Sequence, residues 1–135
     1  MPFVLDASVT LGWCFRDEQQ KLTDVVGQML RGGENALVPL IWWFETRHAA
    51  LMGIRRQRVT WEQVVDFLSQ VDSALIHMAP MPNEFAVLDL ARRHRLSFYD
   101  AAYLELAQRE GIALATLDQA LSRAATAEGV PLIGA

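Results

Sequence analysis

Short apolar runs recur at Phe3-Val4-Leu5, Ala36-Leu37-Val38, Leu75-Ile76-His77-Met78, Ile112-Ala113-Leu114-Ala115 and Val130-Pro131-Leu132-Ile133. Runs this short and this apolar predict strands buried on both faces. The segments between them change period. Leu22, Val25, Val26, Met29 and Leu30 form a stripe at helical spacing, and Trp61, Val64, Val65, Leu68 and Val71 do much the same, so both segments predict amphipathic helices. Gly32-Gly33 ends the first, Thr60 with Gln63 offers a capping box to the second, and Gly111 and Gly129 stand where helices give way to strands. Further helices fit near Leu40, over 83–95, over 98–110 and, more briefly, around 120–125. Strands separated by helices imply an α/β fold: a central parallel sheet in a three-layer α/β/α arrangement, with ligands expected beyond the carboxyl ends of its strands.

The 135 residues, 52% of them hydrophobic and 21% charged, suit one globular domain over 1–135 with a core that needs no disulfide. The longest apolar run, Ala36 to Phe44, is broken by Pro39 and falls far short of the ~20 residues that span a bilayer. No basic region precedes the first apolar segment, so the N-terminus reads as mature structure and the expected compartment is the cytoplasm. Cys14, the single cysteine, sits among Leu11, Trp13 and Phe15 and is expected to be a small buried hydrophobe. His48, His77 and His94 lack the spacing of a zinc site, and His77 falls in a strand run.

Net charge is −4, against the overall signature of a nucleic-acid binder. Local charge differs: Arg55, Arg56 and Arg58 form one basic run and Arg92, Arg93 and Arg95 another. Guanidinium groups suit phosphate recognition, while basic runs at helix ends also cap carbonyls and face water. Both roles stay open for these six arginines.

Four acids stand out by position. Asp6 follows the first strand directly, and Asp118 follows Ala115-Thr116-Leu117 after the fourth. Each is either a helix N-cap or a site carboxylate. Asp100, in Ser97-Phe98-Tyr99-Asp100, also completes a capping-box pattern. Glu45, in the helix beginning near Leu40, has Ile41, Trp42, Ala49 and Met52 on its side, so its charge needs a partner: Arg47, His48 or a metal ion. If the strands are neighbours, the four carboxylates converge, and such a cluster repels itself unless protonated or bridged by a divalent cation such as Mg²⁺ or Mn²⁺. Without these four, the acidic and basic residues balance at 12 each. Ser8 and Thr116, two residues from an acid, either orient carboxylates by hydrogen bonds or close local turns.

Val4-Leu5-Asp6-Ala7-Ser8, Val38-Pro39 leading into Trp43-Phe44-Glu45, Leu96-Ser97-Phe98-Tyr99-Asp100-Ala101-Ala102-Tyr103 and Leu114-Ala115-Thr116-Leu117-Asp118 together resemble the PIN-domain nucleases, specifically the VapC-like toxins of type II toxin–antitoxin systems. The resemblance covers nearly the whole chain. It implies a PIN-like α/β/α fold and a four-acid Mg²⁺ site at Asp6, Glu45, Asp100 and Asp118, with Mn²⁺ a possible substitute. It further implies endoribonuclease activity, a toxin homodimer and a cognate VapB-like antitoxin that wraps the toxin. Trp13, Trp42, Trp43 and Trp61 are candidates for the partner groove, with core packing the alternative. Family members often carry a small polar residue one turn after the helix glutamate, where this chain has His48.

The mechanism this implies is in-line attack on an RNA phosphodiester by water activated at the metal. A phosphotransfer receiver or haloacid-type phosphatase also places aspartate after its first strand, but needs a lysine late in the chain, and the only lysine is Lys21. A catalytically silent RNA- or protein-binding module of the same fold is the remaining alternative.

Overall fold

A computed structural model describes residues 1–18 and 20–134. The chain runs β1 (Phe3–Leu5), α1 (Ala7–Thr10), a 3₁₀ turn over Leu11–Trp13 and another over Arg16–Glu18, α2 (Lys21–Arg31), β2 (Ala36–Val38), α3 (Leu40–Arg55), α4 (Trp61–Ser73), β3 (Ile76–Met78), α5 (Glu84–His94), α6 (Phe98–Glu110), β4 (Ala113–Ala115) and α7 (Gln119–Ala127). The four strands form one parallel sheet in the order β3-β2-β1-β4, flanked by helices as the alternation of runs predicts.

The local signals act as expected. Thr60 and Gln63 complete a reciprocal capping box at the start of α4. Gly111 ends α6 with φ +65°, in the left-handed region that costs a glycine nothing. Phe3, Val4 and Leu5 are fully buried, as are Leu104, Leu106, Leu114 and Leu121 around them. Cys14 is buried too. The helices α5, α6 and α7 pack together, with α6 lying against β1 and β4, while α1 packs on α2 and α3.

Two strand expectations need correction. The run Val130–Ile133 makes a single parallel bridge, Leu114 to Leu132, rather than a strand: Pro131 has no N–H for a ladder, so only its carbonyl and the Ile133 amide reach Leu114. Nor is β3 buried on both faces. It is an edge strand with Ile76 half-buried and His77 and Met78 exposed, and the His77 ring meets Asn35 Oδ1 at 2.8 Å. Among the described residues, no helix is long and apolar enough to cross a membrane.

The strand order matters for function. From β1 the chain moves outward to β2 and then β3, but β4 returns to the opposite side of β1. The sheet therefore switches direction between β1 and β4, and a crevice opens at their carboxyl ends.

Candidate functional site

Asp6 leaves β1 at that switch point, with its amide hydrogen-bonded to the Ala115 carbonyl at the end of β4 (3.0 Å). It occupies the position before α1 but its side chain caps nothing. Instead Oδ2 accepts from Ser8 Oγ at 2.7 Å and Thr116 Oγ1 at 2.6 Å. Each hydroxyl also accepts an amide from the β4 loop: Ser8 Oγ from Leu117 and Thr116 Oγ1 from Asp118. The two hydroxyls thus orient the carboxylate and fasten the two strand ends together. Among the described residues, no protein donor reaches Oδ1.

Below Asp6 a buried clamp fixes its backbone. Trp42 Nε1 donates to Thr10 Oγ1, which donates to the Asp6 carbonyl. Trp42, expected as a candidate for the partner groove, is a core residue.

Glu45 sits half-buried in the second turn of α3. The sequence suggested Arg47, His48 or a metal as its partner, but Arg47 bonds Thr46 Oγ1, lies near Asp72 and packs its guanidinium over Trp42 and Trp43, and His48 is exposed. The group that touches Glu45 is the hydroxyl of fully buried Tyr103, which donates to Oε1 at 2.6 Å. Sequence reasoning missed this residue. Its signal was there: Tyr103 lies three positions after Asp100 in α6, on the same side of the helix.

Asp100 stands in the first turn of α6, where its amide bonds Ser97 Oγ. Asp118 caps α7, accepting the Leu121 amide on Oδ1 at 2.8 Å. For Asp118 the cap and the site position coincide.

The four acids are electrostatic neighbours. Burial raises the pKa of Asp6 above the ordinary carboxylate value, the Thr116 and Ser8 hydroxyls oppose this, and the charges of Asp100 and Asp118 raise it further. Burial also raises Glu45, against the hydrogen bond from Tyr103 and together with the charges of Asp6 and Asp100. Asp100 is raised by burial and then by Asp118, with Ser97 pulling the other way. Among the described residues, none of these carboxylates forms an ion pair with a basic side chain. Yet no three acidic, histidine or cysteine side chains among the described residues are drawn tightly enough to enclose an ion. The donors fit a hard divalent cation in kind: carboxylate oxygens without a thiolate, one of them buried and oriented with a free oxygen, and a surplus of negative charge.

The arginine runs diverge. Arg92 and Arg93 both pair with Asp89, and Arg93 also reaches Glu128 at 2.7 Å. Arg58 lies over the Phe15 ring and near Asp17. Arg55, Arg56 and Arg95 are exposed. A groove of about 570 Å³ opens between the Leu11–Trp13 turn, α2 and the end of α4, lined by Trp13, Arg16, Asp24, Arg31 and Leu75 among others. Trp13 is the one of the four tryptophans that lines it, whereas Trp43 and Trp61 are exposed on α3 and α4.

Residues 3–127 match the family model of the PIN domain. The chain belongs to the PIN domain family. The fold of this PIN domain is similar to that of PAE2754 from Pyrobaculum aerophilum, at TM-score 0.76 and 22% identity over 98% of this chain and 90% of that one. It is also similar to VapBC2 from Rickettsia felis, solved bound to a DNA fragment from their promoter, at TM-score 0.65 and 13% identity over 98% and 97% of the two chains. FitAcB from Neisseria gonorrhoeae matches at TM-score 0.62 and 14% identity over 96% and 95%. At these identities the likeness is one of fold. No curated protein matches the sequence. PIN domains are generally nucleases that use divalent metal ions, and membership supports a hydrolase of phosphodiester bonds.

Proposed function

We propose that this PIN domain is a Mg²⁺-dependent endoribonuclease and the toxin of a VapBC-type pair. The observation that carries the proposal is that Asp6, Glu45 and Asp100 have pKa values raised by burial and by the charges of neighbouring acids, Asp118 among them, near the sheet's switch point while, among the described residues, no basic side chain pairs with these four, a costly arrangement that a bound cation relieves. Asp6 and Asp100 are the principal ligands, with Glu45 and Asp118 completing the set. The chemistry a divalent cation supplies there is acidification of the attacking water and stabilisation of the leaving oxygen. The chain's own residues do the rest. Ser8 and Thr116 hold Asp6 in one orientation, and the Asp118 cap fixes the start of α7. Arg55, Arg56 and Arg95, exposed and outside the ion pairs that occupy Arg92 and Arg93, are the better candidates for RNA phosphates.

The likeness to VapBC2 in fold supports a VapB-like antitoxin as partner, and the groove beside Trp13 supplies a concave, partly apolar seat flanked by Arg16 and Arg31. A homodimer acting in the cytoplasm completes the proposal. One observation favours a second reading, a catalytically silent PIN-like binding module: among the described residues, no three acidic, histidine or cysteine side chains form a ready-made ion site. Incubating the purified chain with total RNA in Mg²⁺, Mn²⁺ or EDTA, beside Asp100→Asn, separates the two. Discrete fragments that require both metal and Asp100 are expected. A folded protein that leaves all RNA intact under every condition overturns cleavage of that pool and favours a narrow substrate absent from it, or the silent module.

A further inference from the structure

Tyr103 has a hydroxyl where a core aromatic needs none. Its ring is fully buried in α6, and a buried hydroxyl costs stability unless it is hydrogen-bonded. Its partner, at 2.6 Å, is Glu45 Oε1 on α3. The phenol thus links α6, which also carries Asp100, to Glu45 on α3.

Glu45 by itself is poorly held. The charges of Asp6 and Asp100 push it away, its helix neighbours Arg47 and His48 are directed elsewhere or exposed, and its half-buried position leaves solvent within reach. Among the described residues, the Tyr103 hydroxyl is the one side chain that hydrogen-bonds its carboxylate. We propose that Tyr103 is a positioning residue for the cation site: by occupying Oε1 it fixes the Glu45 side chain with Oε2 turned to the crevice shared with Asp6 and Asp100. This rests on the metal-site proposal above. It also gives the spread of the acids a cause, since Glu45 is restrained from outside the group rather than by the other carboxylates.

The test is Mn²⁺ affinity, measured by calorimetry on the RNA-free protein for the wild type, Tyr103→Phe, Glu45→Gln and the double variant. Phenylalanine keeps the ring and its packing, and circular dichroism verifies the fold of each protein. Loss of the hydroxyl is expected to weaken Mn²⁺ binding by roughly 10- to 100-fold, the range for removing a hydrogen bond that orients a metal ligand. In the Glu45→Gln background the same change is expected to have little further effect, because Tyr103 acts through that carboxylate. Equal affinities for wild type and Tyr103→Phe overturn the inference alone. An undiminished effect in the Glu45→Gln background also overturns it, by showing that the hydroxyl acts through packing. A wild type that binds no Mn²⁺ overturns the inference and the metal site together, whereas one that binds Mn²⁺ but cleaves no RNA leaves the inference standing and removes the nuclease.

Discussion

At the open ends of β1 and β4, Asp6, Glu45 and Asp100 lie near one another with pKa values pushed up by burial and mutual charge. At the end of α7, by contrast, Glu128 receives Arg93 at 2.7 Å, His94 at 2.6 Å and Gln108 at 3.0 Å, and its pKa falls to about 2, first through Arg93 and then through His94. The same functional group is used in two ways. Glu128 ties α5, α6 and α7 together and favours folding. The crevice acids oppose folding when ionised, and their persistence in a buried location marks a requirement other than stability.

The sharpest break between the two regions comes from Asp100→Asn. RNA cleavage is expected to fall by about 10²- to 10³-fold, the usual loss when one preorganised electrostatic group is removed, while the melting temperature of the metal-free protein rises because one repelling charge has gone. A gel assay and a thermal melt check the two halves, and an unchanged activity sinks the site. Thr116→Val comes next. It removes a donor from Asp6 Oδ2 and the acceptor of the Asp118 amide, so activity is expected to fall about 10-fold or somewhat more, and stability falls with it. The opposite region gives the opposite pattern: Glu128→Ala is expected to cost about 1–2 kcal/mol of stability, read by urea titration, with cleavage unchanged.

The smallest effect is in pH. Glu128, lowered from 4.5 to about 2 in the folded protein, contributes stability that is fully present above about pH 4.5 and disappears as the pH falls towards 2. The crevice acids, raised on folding, impose a cost that grows as the pH rises past the ordinary carboxylate range and vanishes on protonation at lower pH. The melting-temperature differences of Glu128→Ala and Asp100→Asn from wild type should therefore carry opposite signs at neutral pH, and both should shrink on acidification. Like signs at neutral pH would erase the distinction between the regions.

The parallel sheet and the longer helices were legible because burial and periodicity are local properties of the chain. The segment 7–18 was not, since α1 and the two 3₁₀ turns are too short to show a period. Exposure of β3 follows from its edge position, which a run such as Ile76-His77-Met78 does not reveal, and the run at Val130–Ile133 hid the effect of Pro131 behind its apolar neighbours. At the site, the acids could be found because strand-end carboxylates are conspicuous, and Ser8 and Thr116 because they stand two residues from an acid. Tyr103 was passed over because its ring also satisfies the core pattern: its place one turn after Asp100 was legible, but only the packing of α6 across from α3 gives its hydroxyl a partner.

The hydrogen bond from Thr116 to Asp6 joins residues 110 apart in sequence, and the β1–β4 pairing beside it is just as distant. Closing so long a loop is slow, and it cannot begin before both strands have been made. A nascent chain carries Asp6 well before it gains the hydroxyl that orients it and the strand that completes the crevice, both about 110 residues later. Chain order thus acts as a timer: Asp6 remains without its Thr116 donor on an unfinished sheet until β4 docks, and the finished crevice belongs to the folded molecule.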